Sequence, residues 1–119
     1  MDRDIPIKLA QKAEIDALNR IASSLAVLPE TEKVIFFGSR ARGDFVGSSD
    51  MDILIILSSL RIKNDVITIL HDIELEHDVP ISSVVFTKHE FETNRRLNSS
   101  FVNNVEREGI VLYDNEHRR

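Results

Sequence analysis

Phe37-Gly38-Ser39-Arg40-Ala41-Arg42-Gly43-Asp44, followed by Ser48-Ser49-Asp50-Met51-Asp52-Ile53-Leu54, is the stretch on which the fold turns. Lys33 to Phe37, rich in Val, Ile and Phe, reads as a strand running straight into the glycine. Gly38 to Ser49 reads as a polar loop with room for one helical turn. A second strand then spans Met51 to Leu57. Its apolar residues occur at both parities, so both faces are covered and the strand is central.

Asp50 and Asp52 lie two apart where that strand opens. A side-chain period of two puts both carboxylates on one face, about 6–7 Å apart along the chain. Burying two acids as core would cost heavily in desolvation. A natural use for the pair is to hold a hard cation such as Mg²⁺, which takes one or two carboxylates plus phosphate oxygens. The bland alternative is a turn residue followed by an edge-facing charge. Gly38 stands where a missing Cβ lets backbone N–H groups close on a phosphate. Ser39 adds a hydroxyl, and Arg40 and Arg42 add guanidinium forks suited to phosphate oxygens. Their bland alternative is a solvated turn.

One competing motif fails. Gly38 and Gly43 have the spacing of a P-loop, but Asp44 and Phe45 follow where Lys and Ser or Thr are required.

Outward from this segment, Lys8 to Leu28 reads as an amphipathic helix. Ile15, Leu18, Ala22 and Leu25 form one stripe, with Leu9, Ala13, Ala17 and Ile21 beside it, and Pro29 ends it. Arg61 to Glu76 reads as a second helix and Ile81 to Phe86 as a third strand. Thr87-Lys88-His89-Glu90 has the capping-box pattern and predicts a helix start. Ser100 to Glu108 is helical and stops at Gly109, read as a left-handed cap. Ile110 to Tyr113 is a last strand, and the tail 114–119 is expected to be disordered. The order predicts one domain over residues 1–119, of α/β (α+β) class, with helices packed on one sheet.

Composition narrows the function. The 119 residues hold 15 Lys and Arg against 20 Asp and Glu, a net charge of -5, which argues against a broad nucleic-acid-binding face. A local arginine pair still suffices for a small phosphate-bearing ligand. There is no cysteine, hence no disulfide framework and no thiolate chemistry. No apolar run can span a bilayer. A cytoplasmic protein without a membrane contact is expected.

Taken together, strand, Gly-Ser, ten residues and Asp-x-Asp opening a second strand resemble the polymerase β-type nucleotidyltransferase superfamily. Gly38 to Asp44 with Ser49-Asp50-Met51-Asp52 is similar, more narrowly, to the minimal nucleotidyltransferases, small domains often found as antitoxins beside HEPN-domain partners. The resemblance implies a mixed β-sheet with packed helices and transfer of NMP, AMP from ATP above all, with Mg²⁺. It implies that Gly38, Ser39, Arg40 and Arg42 bind the nucleotide, that Asp50 and Asp52 bind metal, and that Ser39, Asp50 and Asp52 are catalytic. The implied acceptor is a hydroxyl on a partner protein, since one small domain offers no grip on a polynucleotide.

The sequence departs from the pattern at one place. Active members usually carry a third acid on the next strand, and here that strand reads Ile81-Ser82-Ser83-Val84-Val85-Phe86. Ser82 falls at the third-acid position, with Ser83 on the opposite side. His77, Asp78 and Asp44 are the nearby substitutes. The rival reading is therefore a catalytically weak or inactive nucleotide-binding module that neutralises its partner by docking.

Overall fold

The computed structural model describes residues 12–44 and 49–117. The onset expected for the first helix at residues 8–11, the loop at 45–48 and the last tail residues 118–119 lie outside the described residues.

Helix α1 (Lys12–Ala26) leads into strand β1 (Thr31–Phe37) and a four-residue helix, α2 (Ser39–Arg42). Strand β2 (Met51–Leu57) follows, then a 3-10 turn (Leu60–Ile62), α3 (Lys63–His77), β3 (Ile81–Thr87), α4 (Lys88–Arg96), α5 (Ser100–Glu108) and β4 (Ile110–Asp114). The sheet order is β3-β2-β1-β4. β2 pairs antiparallel with β1 and parallel with β3, and β1 pairs antiparallel with β4. The sheet is thus mixed, with β2 inside it as its apolar run requires.

Alternation along the strands divides the core in two. Val34, Phe36, Met51, Ile53, Ile55 and Leu57 face α1 and α3, where Leu18, Ile21, Leu25, Val66, Leu70 and Ile73 cover them. Ile35, Leu54 and Ile56 face α4 and α5 and pack on Phe91, Val102 and Val105. The capping box at Thr87 is formed: Glu90 N–H donates to Thr87 Oγ1 at 3.0 Å, and Thr87 N–H donates to Glu90 Oε1 at 2.8 Å. The parallel β2–β3 pair needs a crossover, and α3 supplies it.

Three local expectations are corrected. Helix α1 ends at Ala26, ahead of Pro29, because the chain already turns through a Leu28 N–H to Leu25 O bond of 3.1 Å. Gly109 has φ -74 and is not left-handed. Glycine is needed there for close approach, since a Cβ would press into Ile35 Cγ2 and the Val105 carbonyl. The tail is ordered further than expected. Asp114 belongs to β4, and Asn115–His117 form a 3-10 turn in which Asn115 Nδ2 donates to Glu32 Oε1 at 3.2 Å. Among the described residues no helix is long and apolar enough to cross a membrane.

Candidate active site

Asp52 shares its parity with Leu54 and Ile56, so it lies on the α4/α5 face of the sheet, at the end where β2 begins. Across the antiparallel pair its partner is Phe37, the last residue of β1. Phe37 and Phe86 each meet the ring of Phe101 edge-on, at 5.4 and 5.9 Å between centroids. Phe101 thus links Phe37, opposite the acid, to Phe86, which pairs with Ile56 further along the sheet. Across the parallel pair Asp52 stands opposite Ser82, and Ile53 opposite Ser83. Paired residues of neighbouring strands share a face. Ser82 is therefore on the Asp52 side and Ser83 is not. Asp50, one residue ahead of β2, is exposed, whereas Asp52 is half-buried. Among the described residues the buried Oγ of neighbouring Ser49 has no hydrogen-bond partner.

Gly38 meets this acid directly. Its φ of 85 and ψ of -169 fall in a region that is essentially glycine-only. A Cβ at residue 38 would collide with the Asp52 carboxylate. Gly38→Ala is accordingly expected to cost about 1–3 kcal/mol from backbone strain and to push Asp52 out of place. Thermal melting checks the first effect, and a changed NMR signal of the Asp52 carboxyl the second. From Gly38 the chain closes the α2 turn with Arg42 N–H donating to Gly38 O at 3.0 Å and Gly43 N–H to Ser39 O at 2.9 Å. Gly43 takes the left-handed conformation, φ 84, that ends the turn.

That turn separates the two arginines. Residues two apart on a helix point about 200° away from each other. The expectation that Arg40 faces a phosphate is corrected: Arg40 is turned inward, 8% exposed, and ion-paired with the buried Glu14 of α1. Arg42 points outward. Its Nε donates to Asp44 Oδ2 and its Nη1 to Glu108 Oε1, both at 3.0 Å. Glu14 and Glu108 were both missed by sequence reasoning. Glu14 carried a usable signal, since it falls three, four and seven residues before Ala17, Leu18 and Ile21, inside the buried stripe. Glu108 carried none beyond preceding Gly109.

The electrostatics mark Asp52 as the constrained group. Burial, and then the charge of Asp50, hold its carboxyl above the usual aspartate range, while Arg42 pulls the other way. Two carboxylates on one sheet face, joined by the Ser82 hydroxyl, make a hard-oxygen donor set deficient in positive charge. That set fits a divalent cation completed by phosphate oxygens. Among the described residues no group of three or more acids and histidines is placed to hold a metal by itself. A cleft of about 160 Å³ lined by Ile56, Lys88, Phe91 and Arg95 opens on the same face. It lies at the far end of β2, about 13 Å along the strand from Asp52.

Comparison with known proteins gives the family. The family described as Polymerase beta, Nucleotidyltransferase matches residues 19–118. Two proteins of Methanocaldococcus jannaschii, assigned by inference as protein adenylyltransferases, are similar to this chain. One is 34% identical over 84 residues, 68% of this chain and 78% of its own length. The other is 41% identical over 83 residues, 69% of this chain and 78% of its own. In a solved toxin–antitoxin structure with AMP-PNP, one chain has the same fold, with TM-score 0.54 and 18% identity over 89% of this chain and 74% of that one. With its Gly-Ser turn, its acid pair at the start of β2 and this match over most of its length, the chain belongs to the polymerase β-type nucleotidyltransferase family as a minimal nucleotidyltransferase.

Proposed function

We propose that this protein binds ATP with Mg²⁺ and transfers AMP to a hydroxyl on a partner protein, as the antitoxin of a HEPN-type toxin. The observation that carries the reading is the placing of Gly38 against Asp52 and the pairing of Asp52 with Ser82, which puts a glycine turn, an acid and a hydroxyl at one end of one sheet face. The adenylyltransferase relatives support AMP as the group moved, and the toxin–antitoxin neighbour supports a protein acceptor.

In this reading Gly38 leaves room for the Asp52 carboxylate beside the turn, and Ser39 offers its hydroxyl to a phosphate oxygen. Arg42 meets the phosphates from the outer side. Asp50 and Asp52 would hold the divalent ion, which when bound neutralises phosphate charge and aligns the attacking oxygen. The acceptor oxygen bonds to the α-phosphorus as the bond to the β-phosphate oxygen breaks, and pyrophosphate leaves. The acceptor proton passes to solvent, because Ser82 is a poor base.

The rival docking reading draws on that same Ser82. ATP labelled at the α-phosphate distinguishes the two. Wild type should label its partner slowly, and Ser82→Asp should raise the rate, up to about 10²-fold if the new carboxylate acts as a base. A partner that is inhibited but never labelled, by either protein, would favour docking.

A further inference from the structure

Arg42 is the one basic side chain of the glycine turn directed outward, and two carboxylates grip it. Asp44 is two residues away and exposed; an exposed local pair of this kind orders a long side chain weakly. Glu108 is different. It sits 66 residues from Arg42 in sequence, at the end of α5, with its side chain 26% exposed. Its position is fixed by the sheet: Ile110 pairs with Phe36, and Gly109 brings the end of α5 down against Ile35. Its second oxygen accepts from Arg107 Nη2 at 3.2 Å. The contact with Arg42 also holds the Glu108 carboxyl below the usual carboxylate range. Glu108 and Asp44 engage Nη1 and Nε of Arg42, and no bond of Nη2 is seen among the described residues.

We propose that Glu108 is a positioning residue that holds the Arg42 guanidinium oriented beside the Asp50/Asp52 pair, so that its remaining N–H groups meet the phosphate chain of a bound nucleoside triphosphate. This rests on the nucleotidyl-transfer reading and adds to it a residue outside every motif of the sequence. An arginine already ordered in the free protein surrenders less side-chain freedom when the phosphates arrive. Glu108 thus acts on affinity through Arg42 and touches no substrate.

The test is a double-mutant cycle read by calorimetric titration with ATP and Mg²⁺. Arg42→Ala should weaken ATP binding by about 10–100-fold and Glu108→Ala by about 3–10-fold. Glu108→Gln, which keeps an acceptor oxygen, should fall between wild type and Glu108→Ala. In the Arg42→Ala background, neither change at Glu108 should weaken ATP further. Inorganic triphosphate should show the same pattern. Equal losses from Glu108 substitution with and without Arg42 would overturn the proposal, leaving Glu108 a merely structural residue. Tighter ATP binding by Glu108→Ala would also overturn it, since Glu108 would then be withholding Arg42. Should Glu108→Ala not fold, Glu108→Gln completes the same cycle. Wild-type protein that binds ATP with Glu108 irrelevant defeats this inference alone, whereas wild-type protein that binds no ATP defeats the proposed function as well.

Discussion

Replacing Asp52 by Asn is expected to lower nucleotidyl transfer by about 10³-fold and, in the same protein, to raise the melting temperature at neutral pH. The two effects share one cause. Asn keeps the shape that fits against Gly38 and removes the charge. A carboxylate half-buried beside another carboxylate is held above its ordinary pKa by burial first and by Asp50 second. In the unfolded chain Asp52 ionises more readily than in the folded one. Proton linkage then fixes the sign: ionised Asp52 weakens the fold above its folded pKa, and the penalty disappears below the ordinary aspartate pKa. The gap in melting temperature between Asp52→Asn and wild type should be widest near neutral pH and close on acidification. Melting curves across that range check it. An Asp52→Asn protein less stable than wild type at neutral pH would show that the carboxylate is held by a favourable partner instead. Sites that give up stability for chemistry commonly respond this way.

The second large effect belongs to Glu14. Its pair with Arg40 joins α1 to the turn that follows Gly38, with the two side chains only 5% and 10% exposed. Removing one member of a buried pair strands the other charge, typically at about 3–5 kcal/mol. Total stability of a domain this size is about 5–15 kcal/mol, so Glu14→Ala should lower the melting temperature by about 10 °C or more. Arg40 also has contacts beyond Glu14, which favours the lower end of that range. The double replacement Glu14→Leu with Arg40→Met should recover much of the loss, because a well-packed apolar pair avoids desolvating two ions. Thermal denaturation of the single and double variants decides it. A Glu14→Ala protein as stable as wild type would mean that the pair is no more than a surface contact.

These two residues also show where sequence reading works and where it stops. Strand β2 was legible to the residue, because an apolar run between two acids and Ser58 leaves little freedom in its ends. Thr87 and Glu90 announced α4, since a capping box is a local bond pattern written within four residues. Ser82 was legible on strand parity, and the β2–β3 register places it on the Asp52 face. Arg40 was not legible. Whether two arginines two apart point together or apart depends on whether the loop is extended or helical, and α2 is too short to show a period. Gly109 was recognised as a stop for α5 but misjudged in mechanism, because the need for it arises from Ile35, far away in sequence. Glu108 depends on the β1–β4 pairing, which no local pattern encodes.

The central claim is that the face carrying Asp50 and Asp52 transfers a nucleotide to a protein. It is tested most directly by co-expressing this protein with the HEPN-type toxin proposed as its partner and measuring the partner's intact mass. The account predicts one or more adenylyl increments on the partner with wild type, and none with Asp50→Ala or Asp52→Ala. An unmodified partner that wild type still neutralises would contradict it.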